Sequence, residues 1–516
     1  MVIFRRNPLS LFLFVLLAAF SLASCSRPAA PKKHLLIVVD GLRPDYVTPE
    51  VMPNLHALGQ RGVVFTRHHS VYPTVTRVNA SSISTGSYPE THGLMGNSVF
   101  FPQVNATKFL DTSDRANLEN IGKATGGKLL TAATLGESLQ ASGQRLLVVS
   151  SGSSGSAFLL NHTVAGGAIL HFEYALPETL QQEVVDRLGP PPADGSPGID
   201  QRAVDAFLKI GLAKINPVVT IMWLSDLDTA AHAKGIGSEP AVEVLRSVDR
   251  HIKEIEDGLK AAGLFDSYNI WVTSDHGFAT HTGAADVQAI IKPLLVPRSD
   301  GAPSIIANGG AIYVRDHSTE TVATITAALQ RTPGVGAIFT RGTAAGSLDG
   351  RLSGTLSFDA ARWGHERAAD ILYSPDWTDE MNANGFPGTS ASGGVAGHGS
   401  SSPFEIHNTL IAAGPDLKSG VSIDVPSGNV DFAPTFLSML GHPIPSSMQG
   451  RVLGEALADG PAPGTVVVKS VDHTVSNDDG SYMATSFFST VESGGHSYRY
   501  LDRTLVARKA ATPGAR

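Results

Sequence analysis

The sequence has little cysteine and no excess of positive charge. It contains one cysteine in 516 residues, and 39 Lys and Arg face 47 Asp and Glu, which gives a formal net charge of -8. A single cysteine excludes a disulfide scaffold within the chain, and the acidic balance argues against a nucleic-acid-binding protein. Because 42% of the residues are hydrophobic, collagen-like and wholly disordered chains are also excluded. We expect one large, elaborated domain.

The only long apolar run lies at the N-terminus. Arg5 and Arg6 precede the apolar residues 9–20, which are too few for a confident membrane span but typical of a signal peptide. The run ends in Leu-Ala-Ser-Cys25, which resembles a bacterial lipobox. The sequence thus predicts a signal peptide over 1–24, lipidation of Cys25, a tether over 25–33 and a periplasmic or surface-facing lipoprotein of the bacterial cell envelope. The alternative is an ordinary signal peptide with an incidental cysteine.

Three β-branched stretches each end at acidic residues. Such continuous apolar runs are typical of strands buried on both faces of a parallel sheet. In open α/β sheets, ligands bind beyond the carboxyl ends of the strands, so these acids are candidate site residues. The stretches are 34–39 before Asp40, 218–224 before Asp226 and Asp228, and 269–273 before Asp275 and His276.

The remaining pattern predicts helices and an insertion. Val244, Val248, Ile252, Ile255 and Leu259 recur at three- and four-residue steps, which indicates an amphipathic crossover helix. The stretch of about 280–390 separates two groups of candidate site residues, so we expect an inserted cap there. The predicted organisation is an α/β main domain over 34–470, with a mainly parallel central sheet flanked by helices, and a C-terminal extension over 471–516.

The polar residues near these strand ends share one kind of chemistry. Carboxylate, imidazole and hydroxyl ligands without thiolates suit Zn, Mn or Fe, and a site assembled from distant loops can hold two ions. Taken singly, each residue has a structural explanation, such as helix capping or a solvated loop histidine. The set consists of Asp40, Thr76, Asp228, His232, Asp275, His276 and His398.

In this order, the set resembles the nucleotide pyrophosphatase/phosphodiesterase branch of the alkaline phosphatase superfamily. The resemblance spans roughly residues 34–450 and implies an alkaline-phosphatase-like sheet with two zinc ions. It is carried by Val-Asp40-Gly-Leu-Arg-Pro-Asp, Tyr-Pro-Thr-Val-Thr76-Arg-Val-Asn, Thr-Gly-Ser-Tyr-Pro-Glu-Thr-His92-Gly, Asp228 with His232, Ser-Asp275-His276-Gly and Gly-His398-Gly.

The resemblance also implies roles for these residues. Asp228, His232 and His398 would bind one zinc, and Asp40, Asp275 and His276 would bind the other together with the nucleophile Thr76. Mn or Fe would accept the same ligands. Asn97 matches the asparagine whose amide donates to a phosphate oxygen, although closing a turn is its alternative role. Thr74 is a rival nucleophile to Thr76, and Asp226 is a rival to Asp228.

The match departs from the family after the nucleophile. Nucleotide-cleaving members usually have an aromatic residue there, whereas this chain has Arg77. Its guanidinium could bind a second anionic group or a phosphomonoester, or it could point to solvent or to Glu90. His407 could support a metal ligand, or it could be purely structural.

We expect a two-metal phosphodiesterase or nucleotide pyrophosphatase that acts on a small phosphoester through a phosphothreonine. A phosphomonoesterase or a phosphonoacetate-type hydrolase of the same superfamily is the alternative. A non-catalytic surface-binding lipoprotein is the alternative from another class. We expect contact with a membrane through the lipid anchor alone, and the sequence carries no signal for an oligomeric state.

Overall fold

The computed structural model describes Met1 and residues 32–192 and 198–509. The predicted signal peptide, Cys25 and most of the predicted tether therefore lie outside the described residues. Within the described ranges, no helix combines the length and apolar character needed to cross a membrane.

A ten-stranded sheet forms the centre of the fold. Most neighbouring pairs are parallel, while the strands His407–Ala413 and Ala175–Leu176 run antiparallel to their neighbours. The predicted mainly parallel α/β sheet is therefore confirmed. In spatial order the strands are Val421–Ile423, Val63–His69, His407–Ala413, Tyr268–Thr273, Lys33–Val39, Val219–Leu224, Leu146–Ser150, Ala168–His171 and Ala175–Leu176, and Ser427–Gly428 pairs with Val63–His69.

Both faces of the central strands are buried. In the strand Lys33–Val39, Leu36 and Val38 pack into one hydrophobic cluster, while Leu35 and Ile37 pack into another on the opposite face. Successive side chains of a strand point to opposite faces, so a run of apolar residues supplies two cores at once. Each fully buried side chain of this kind contributes roughly 1.5–3 kcal/mol relative to exposure.

Helices flank the sheet. The crossover helix expected from the spacing of Val244 to Leu259 is confirmed as Glu239–Ala261. The stretch 150–217 contains short strands, helices and a π-helix over Phe207–Ile215. The other flanking helices are Pro53–Arg61, Thr76–Thr85, Pro89–His92, Arg115–Ala124, Leu135–Ala141, Ser154–Leu160, Gln181–Leu188, Ile199–Ala206, Asp226–Lys234, Pro403–Ile406 and Phe432–Met439.

Two smaller sheets occupy most of the stretch in which the sequence predicts an inserted cap. One has the order Ile305–Asn308, Ala311–Val314, Ile371–Pro375, Val335–Thr340 and Leu356–Ser357, with helices Val287–Ile291, Thr319–Arg331 and Phe358–Ala361 in the same stretch. The other has the order Trp377–Met381, Pro387–Ser390, Ala279–His281 and Ala396–Gly397. A cap function for this region stays a prediction.

The chain ends in a three-stranded antiparallel sheet, which we call the C-terminal sheet: Val467–Ser476, Tyr482–Ser493 and His496–Arg508. The Tyr482 hydroxyl donates to the carbonyl of Gly336 at 2.8 Å, and the Trp377 indole donates to the carbonyl of Thr504 at 2.7 Å. The C-terminal sheet is thus joined to the inserted region. A separate pair of short strands consists of Ser98–Val99 and Leu110–Asp111.

Candidate active site

Three adjacent parallel strands deliver the first candidate residues to one edge of the sheet. Lys33–Val39 lies between Val219–Leu224 and Tyr268–Thr273 and pairs in parallel with both. Asp40 follows the central strand of the three. Since the carboxyl ends of parallel strands meet at one edge, the acids that follow them converge there.

The first group of ligand atoms comes from Asp40, Asp275 and His276. One candidate ligand atom from each residue lies within 4.8 Å of the other two. His276 Nε2 is 3.4 Å from Asp40 Oδ1 and 3.1 Å from Asp275 Oδ2. All three residues are buried.

The second group adds Asp228, His232 and His398. Asp228 and His232 lie one turn apart on the helix Asp226–Lys234, and His232 Nε2 is 3.3 Å from Asp228 Oδ1. His398 Nε2 is 3.5 Å from the same oxygen. The His276 and His398 rings stack with centroids 3.4 Å apart, and candidate ligand atoms of Asp228, His276 and His398 lie within 4.8 Å of one another. The two groups therefore form one continuous site.

The histidines present their Nε2 atoms to the carboxylates. His276 Nδ1 lies 3.0 Å from the carbonyl of Gly277, His232 Nδ1 lies 2.9 Å from that of Ala396, and His398 Nδ1 lies 2.8 Å from that of Thr74. A carbonyl only accepts hydrogen bonds, so each Nδ1 carries the proton. In the neutral ring the Nε2 lone pair then faces a carboxylate oxygen, as in a histidine prepared to bind a metal.

The carboxylates lack the donors that burial normally requires. Asp40 Oδ1, Asp228 Oδ1 and Asp275 Oδ2 are buried and accept no hydrogen bond from a described residue. Buried charges without partners are costly, and lone pairs of nitrogen facing lone pairs of oxygen repel. Cations placed among these atoms would relieve both problems, so the residues fit the oxygen and imidazole chemistry of zinc.

Three carboxylates, those of Asp40, Asp228 and Asp275, lie close together in the site and crowd negative charge around Asp40. Burial raises the pKa of Asp40 well above its usual range, and the carboxylates of Asp275 and Asp228 raise it further. Burial would also raise the pKa of Asp228, but the adjacent imidazoles of His232 and His398 outweigh it and lower the pKa below the usual range. Burial, with the nearby His276, lowers the pKa of His398 to about 4, so its ring is neutral at pH 7.

Thr76 lies beside the first group of ligands. It is the first residue of the helix Thr76–Thr85, and its Oγ1 is 3.4 Å from His276 Nε2. The rival Thr74 is engaged elsewhere: its hydroxyl donates to the carbonyl of Ser400 at 2.7 Å and contacts Glu405 Oε2 at 3.2 Å. The geometry therefore favours Thr76 as the candidate nucleophile.

Asn97 and Arg77 are held together through the backbone. The side-chain Oδ1 of Asn97 accepts from the backbone N–H of Arg77 at 3.0 Å. This contact identifies the oxygen end of the amide, which leaves the Nδ2 hydrogens as donors. The structure does not bring Arg77 to Glu90, and that carboxylate instead pairs with Arg362 at 2.7 Å. The Nε of Arg77 is buried without a partner among the residues that the structure describes.

Asp226 does not join the metal-ligand groups. Its neighbour is Asp200, which accepts from the backbone N–H of Asp226 at 3.4 Å and from that of Ser225 at 2.9 Å. Asp228 is thus the carboxylate that reaches the histidines.

Trp223 and Gly41 donate hydrogen bonds to candidate metal ligands, although the sequence motifs do not indicate these roles. The indole of Trp223 donates to Asp40 Oδ2 at 3.0 Å. Trp223 pairs with Val38 across the sheet, so the strand register could have indicated it. Gly41 donates its N–H to Asp275 Oδ1 at 3.2 Å and has φ +76, and a Cβ there would lie 2.9 Å from the ring of Phe278. Trp223 and Phe278 are both buried in the core, and both also contact the site.

A cleft of about 720 Å³ opens beside Asp40, Thr76, Arg77 and Asp228. Much of its wall consists of hydroxyl and charged side chains. These include Ser113, Asp114, Ser151, Ser153, Ser154, Glu173, Ser225, Asp226 and Lys234.

The sheet and the convergent acids and imidazoles define a protein of the alkaline phosphatase superfamily. Murine ectonucleotide pyrophosphatase/phosphodiesterase 5 has a similar fold, with a TM-score of 0.60 at 18% identity, over 83% of this chain and 100% of that one. The family model of type I phosphodiesterase/nucleotide pyrophosphatase matches residues 34–378. This is more than half of the chain, and the chain therefore belongs to that family.

Relatives share sequence over part of their length. Mouse ectonucleotide pyrophosphatase/phosphodiesterase family member 1 is 27% identical over 250 residues, which cover 47% of this chain and 24% of that protein. The bovine bis(5'-adenosyl)-triphosphatase ENPP4 is 28% identical over 256 residues, which cover 49% of each chain. The matched part of the chain thus spans half or less of the length of these relatives.

Proposed function

We propose that this protein is a zinc-dependent phosphodiester hydrolase that acts through a phosphothreonine formed on Thr76. The observation that carries the proposal is the set of buried carboxylate oxygens without donors, beside the hydroxyl of Thr76. Asp228, His232 and His398 would hold one zinc, and Asp40, Asp275 and His276 would hold the other with Thr76. Membership of the phosphodiesterase family supports the same activity.

In the first step, Thr76 Oγ1 loses its proton and forms a bond to phosphorus, the bond from phosphorus to the leaving oxygen breaks, and that oxygen takes up a proton and departs as an alcohol. Water then cleaves the phosphothreonine, which regenerates the hydroxyl and releases a phosphomonoester. When bound, the zinc ions supply the positive charge that lowers the pKa of the hydroxyl and stabilises the charge on the phosphoryl oxygens.

Two features of the chain favour a phosphate at Thr76. The residue opens a ten-residue helix, whose N-terminus carries partial positive charge. The amide of Asn97 retains two N–H donors, since its oxygen is occupied by the backbone of Arg77. Asn97 would thus donate to a phosphoryl oxygen while its own position is fixed by the first turn of the helix.

Arg77 favours a substrate with more negative charge than a simple diester. Arg77 lines the cleft next to Thr76, and its Nε is buried without a hydrogen-bond partner within residues 32–192 and 198–509. Burial lowers the pKa of Arg77 from its usual value, while the carboxylates of Asp40 and Asp111 oppose that effect. A guanidinium stays charged in proteins and binds phosphate oxygens in pairs.

This observation also supports the second candidate function. A phosphomonoesterase or a phosphonoacetate-type hydrolase must bind an additional anionic group beside the scissile bond. Arg77 could bind such a group, whereas it offers no aromatic ring on which a nucleobase could stack. The names of the relatives refer to nucleotide substrates, which favours the diesterase. Arg77 and the polar cleft are the features of this chain that favour the alternative, a hydrolase of more anionic substrates.

We further propose that the protein acts outside the cytoplasm as a lipoprotein of the bacterial cell envelope, anchored through Cys25. The proposal rests on the sequence of residues 1–33 alone. Replacement of Cys25 by Ser should abolish labelling with a radioactive fatty acid and release the protein from the membrane fraction. Unchanged membrane association would contradict the anchor.

The experiment that tests the enzyme uses purified, zinc-loaded protein with three substrates side by side: bis-p-nitrophenyl phosphate, the p-nitrophenyl ester of thymidine monophosphate, and p-nitrophenyl phosphate. We expect turnover that a chelator abolishes and zinc restores. A higher kcat/KM on p-nitrophenyl phosphate than on the diesters would favour the phosphomonoesterase. No turnover together with no bound zinc after reconstitution would support the non-catalytic binder and overturn the proposal.

A further inference from the structure

A second group of potential metal ligands lies apart from the residues of the candidate active site. It consists of His69, His407 and Asp502. One candidate ligand atom from each lies within 4.8 Å of the other two. The rings of His69 and His407 have centroids 4.6 Å apart, and His69 Nε2 lies 2.8 Å from Asp502 Oδ1. None of the three belongs to the site around Thr76.

Two features of the fold, a cross-strand pair and a β-bulge, bring these three side chains together. His69 and His407 are directly opposite each other on the antiparallel strands Val63–His69 and His407–Ala413, so their side chains share one face of the sheet. Asp502 is the unpaired residue at a β-bulge in the C-terminal sheet, between the pairs Phe487 with Arg503 and Phe488 with Leu501. Bulges turn a side chain out of the regular alternation.

The hydrogen bond at Nδ1 of His69 leaves its Nε2, in the neutral ring, as an acceptor that faces the carboxylate of Asp502, which is also an acceptor. Its Nδ1 lies 2.8 Å from the carbonyl of Ser427, which can only accept, so Nδ1 carries the proton. In the neutral ring, the lone pair of Nε2 then points at the carboxylate of Asp502. This contact requires a positive centre between the two atoms, which is either a second proton on the ring or a metal ion.

The position of His407 favours a metal ion over a second proton on His69. A lone proton needs only His69 and Asp502, whereas His407 brings a second imidazole to the same point. One candidate ligand atom of His407 lies within 4.8 Å of those of His69 and Asp502, so its ring can complete a three-residue ligand set. Two imidazoles and one carboxylate are a ligand set that zinc uses with a fourth, exchangeable ligand.

The carboxylate is oriented by its surroundings. The hydroxyl of Ser489 lies 2.9 Å from Asp502 Oδ1 and 2.8 Å from Oδ2 and donates to this carboxylate. The guanidinium of Arg67 is 3.9 Å from Oδ1. Outer partners of this kind are typical of carboxylates that bind metals. The ring of Tyr500 stacks on His69 with centroids 5.4 Å apart and limits its rotation.

We propose that His69, His407 and Asp502 bind a structural zinc ion that fastens the C-terminal sheet to the central sheet. Two ligands belong to strands of the central sheet, and the third belongs to the last strand of the described chain. A tetrahedral zinc with bonds of about 2.0–2.2 Å separates its ligand atoms by roughly 3.4 Å, so small side-chain shifts suffice.

The first test counts zinc per folded chain by mass spectrometry after dialysis into metal-free buffer. Asp502→Asn should hold one zinc fewer than the wild-type protein. Asp472→Asn makes the same chemical change at an exposed position of the same sheet and should hold as much zinc as the wild type. Equal zinc in the wild type and a folded Asp502→Asn would overturn the proposal.

A second test leaves the three ligands intact, which covers the case in which Asp502→Asn does not fold. The double variant Asp40→Asn, Asp228→Asn disables the candidate active site and should retain one zinc per chain, with a Tm that rises by several degrees when zinc is added. A folded double variant without zinc, whose Tm is insensitive to zinc, would contradict the site. In that case a protonated His69 paired with Asp502 would explain the contact.

The two proposals fail in distinguishable ways. If only the structural site exists, the wild type binds one zinc and Asp502→Asn binds none. If only the catalytic ions bind, Asp502→Asn matches the wild type, and the double variant at Asp40 and Asp228 loses its zinc.

Discussion

Trp223 donates its indole N–H to Asp40 across two adjacent parallel strands, at 3.0 Å from Nε1 to Oδ2. The contact engages one oxygen of the carboxylate and leaves the other, Oδ1, facing His276. A buried tryptophan in a sheet core thereby determines which oxygen of Asp40 is available to a metal. Such outer contacts orient ligands as directly as the backbone does.

Replacement of Trp223 by Phe should weaken metal binding at Asp40. Loss of an outer hydrogen bond typically lowers metal affinity or activity by about tenfold to a hundredfold. We expect kcat/KM to fall by that factor at limiting zinc and to recover partly in excess zinc. Trp271→Phe is the matched control, because Trp271 is equally buried but its indole N–H has no partner in the described part of the chain. Equal losses in both variants would indicate a packing effect.

Replacement of Thr76 by Ala should abolish turnover while zinc content stays near that of the wild type. Removal of a nucleophile typically costs at least about a thousandfold in kcat, whereas the carboxylates and imidazoles that hold the metal remain. Thr76→Ser, which keeps a hydroxyl, should retain measurable activity. The check is steady-state kinetics together with zinc analysis. Persistent activity in Thr76→Ala would transfer the role to another group, with Thr74 as the first candidate.

Replacement of Arg77 by Ala should affect substrates according to their charge. Hydrogen bonds to charged groups contribute about 1.5–3 kcal/mol, so kcat/KM for p-nitrophenyl phosphate should fall roughly tenfold to a hundredfold. The loss for bis-p-nitrophenyl phosphate should be clearly smaller. Arg77→Lys should recover part of the monoesterase activity, because it restores the charge but not the paired donors. Identical losses on both substrates would show that Arg77 does not select for charge.

Asp200 should make the free energy of unfolding depend on pH. Burial, with the nearby Asp226, raises the pKa of Asp200 to about 7, and its Oδ2 is buried without a hydrogen-bond partner among the described residues. The folded state holds this proton more tightly than the unfolded state, in which the pKa is about 3.9. The resulting stabilisation is complete below about pH 4 and is lost as the pH rises through 7, by on the order of 4 kcal/mol.

Asp200→Asn mimics the protonated acid and should remove this contribution. Denaturant unfolding between pH 4 and 8 should therefore show a shallower decline in the variant than in the wild type. Asp226 is the less buried partner, so Asp226→Asn should lower the pKa of Asp200 and flatten the slope only partly. A wild-type slope that survives in Asp200→Asn would assign it to other groups.

The candidate ligands at the strand ends were predictable because one local rule governs them. Asp40, Asp228 and Asp275 each follow a buried apolar run, and neighbouring parallel strands bring such residues to one edge. The pairing of Asp228 with His232 likewise follows from the helical repeat. These predictions needed no knowledge of how distant segments pack.

Other contacts depend on tertiary packing, which leaves no periodic signal in the sequence. Glu405 contacts Thr74 across 331 positions of the sequence. Glu90 pairs with Arg362, and Arg77 lines the cleft beside Thr76 instead. Asp502 reaches His69 from a bulge in its own strand, His496–Arg508. A bulge is set by the register of two strands, and the composition of either strand alone does not indicate it.

The antiparallel strand His407–Ala413 has a consequence for how the protein matures. It separates Val63–His69, which leads towards Thr76, from Tyr268–Thr273, which leads to Asp275, and it hydrogen-bonds to both. A growing chain that has not yet reached residue 413 cannot join these two parts of the sheet. The hydroxyl of Thr76 and the acids around it therefore come together only after residue 413 has been synthesised, and a translation product that ends before this strand would carry the separate motifs without the assembled site.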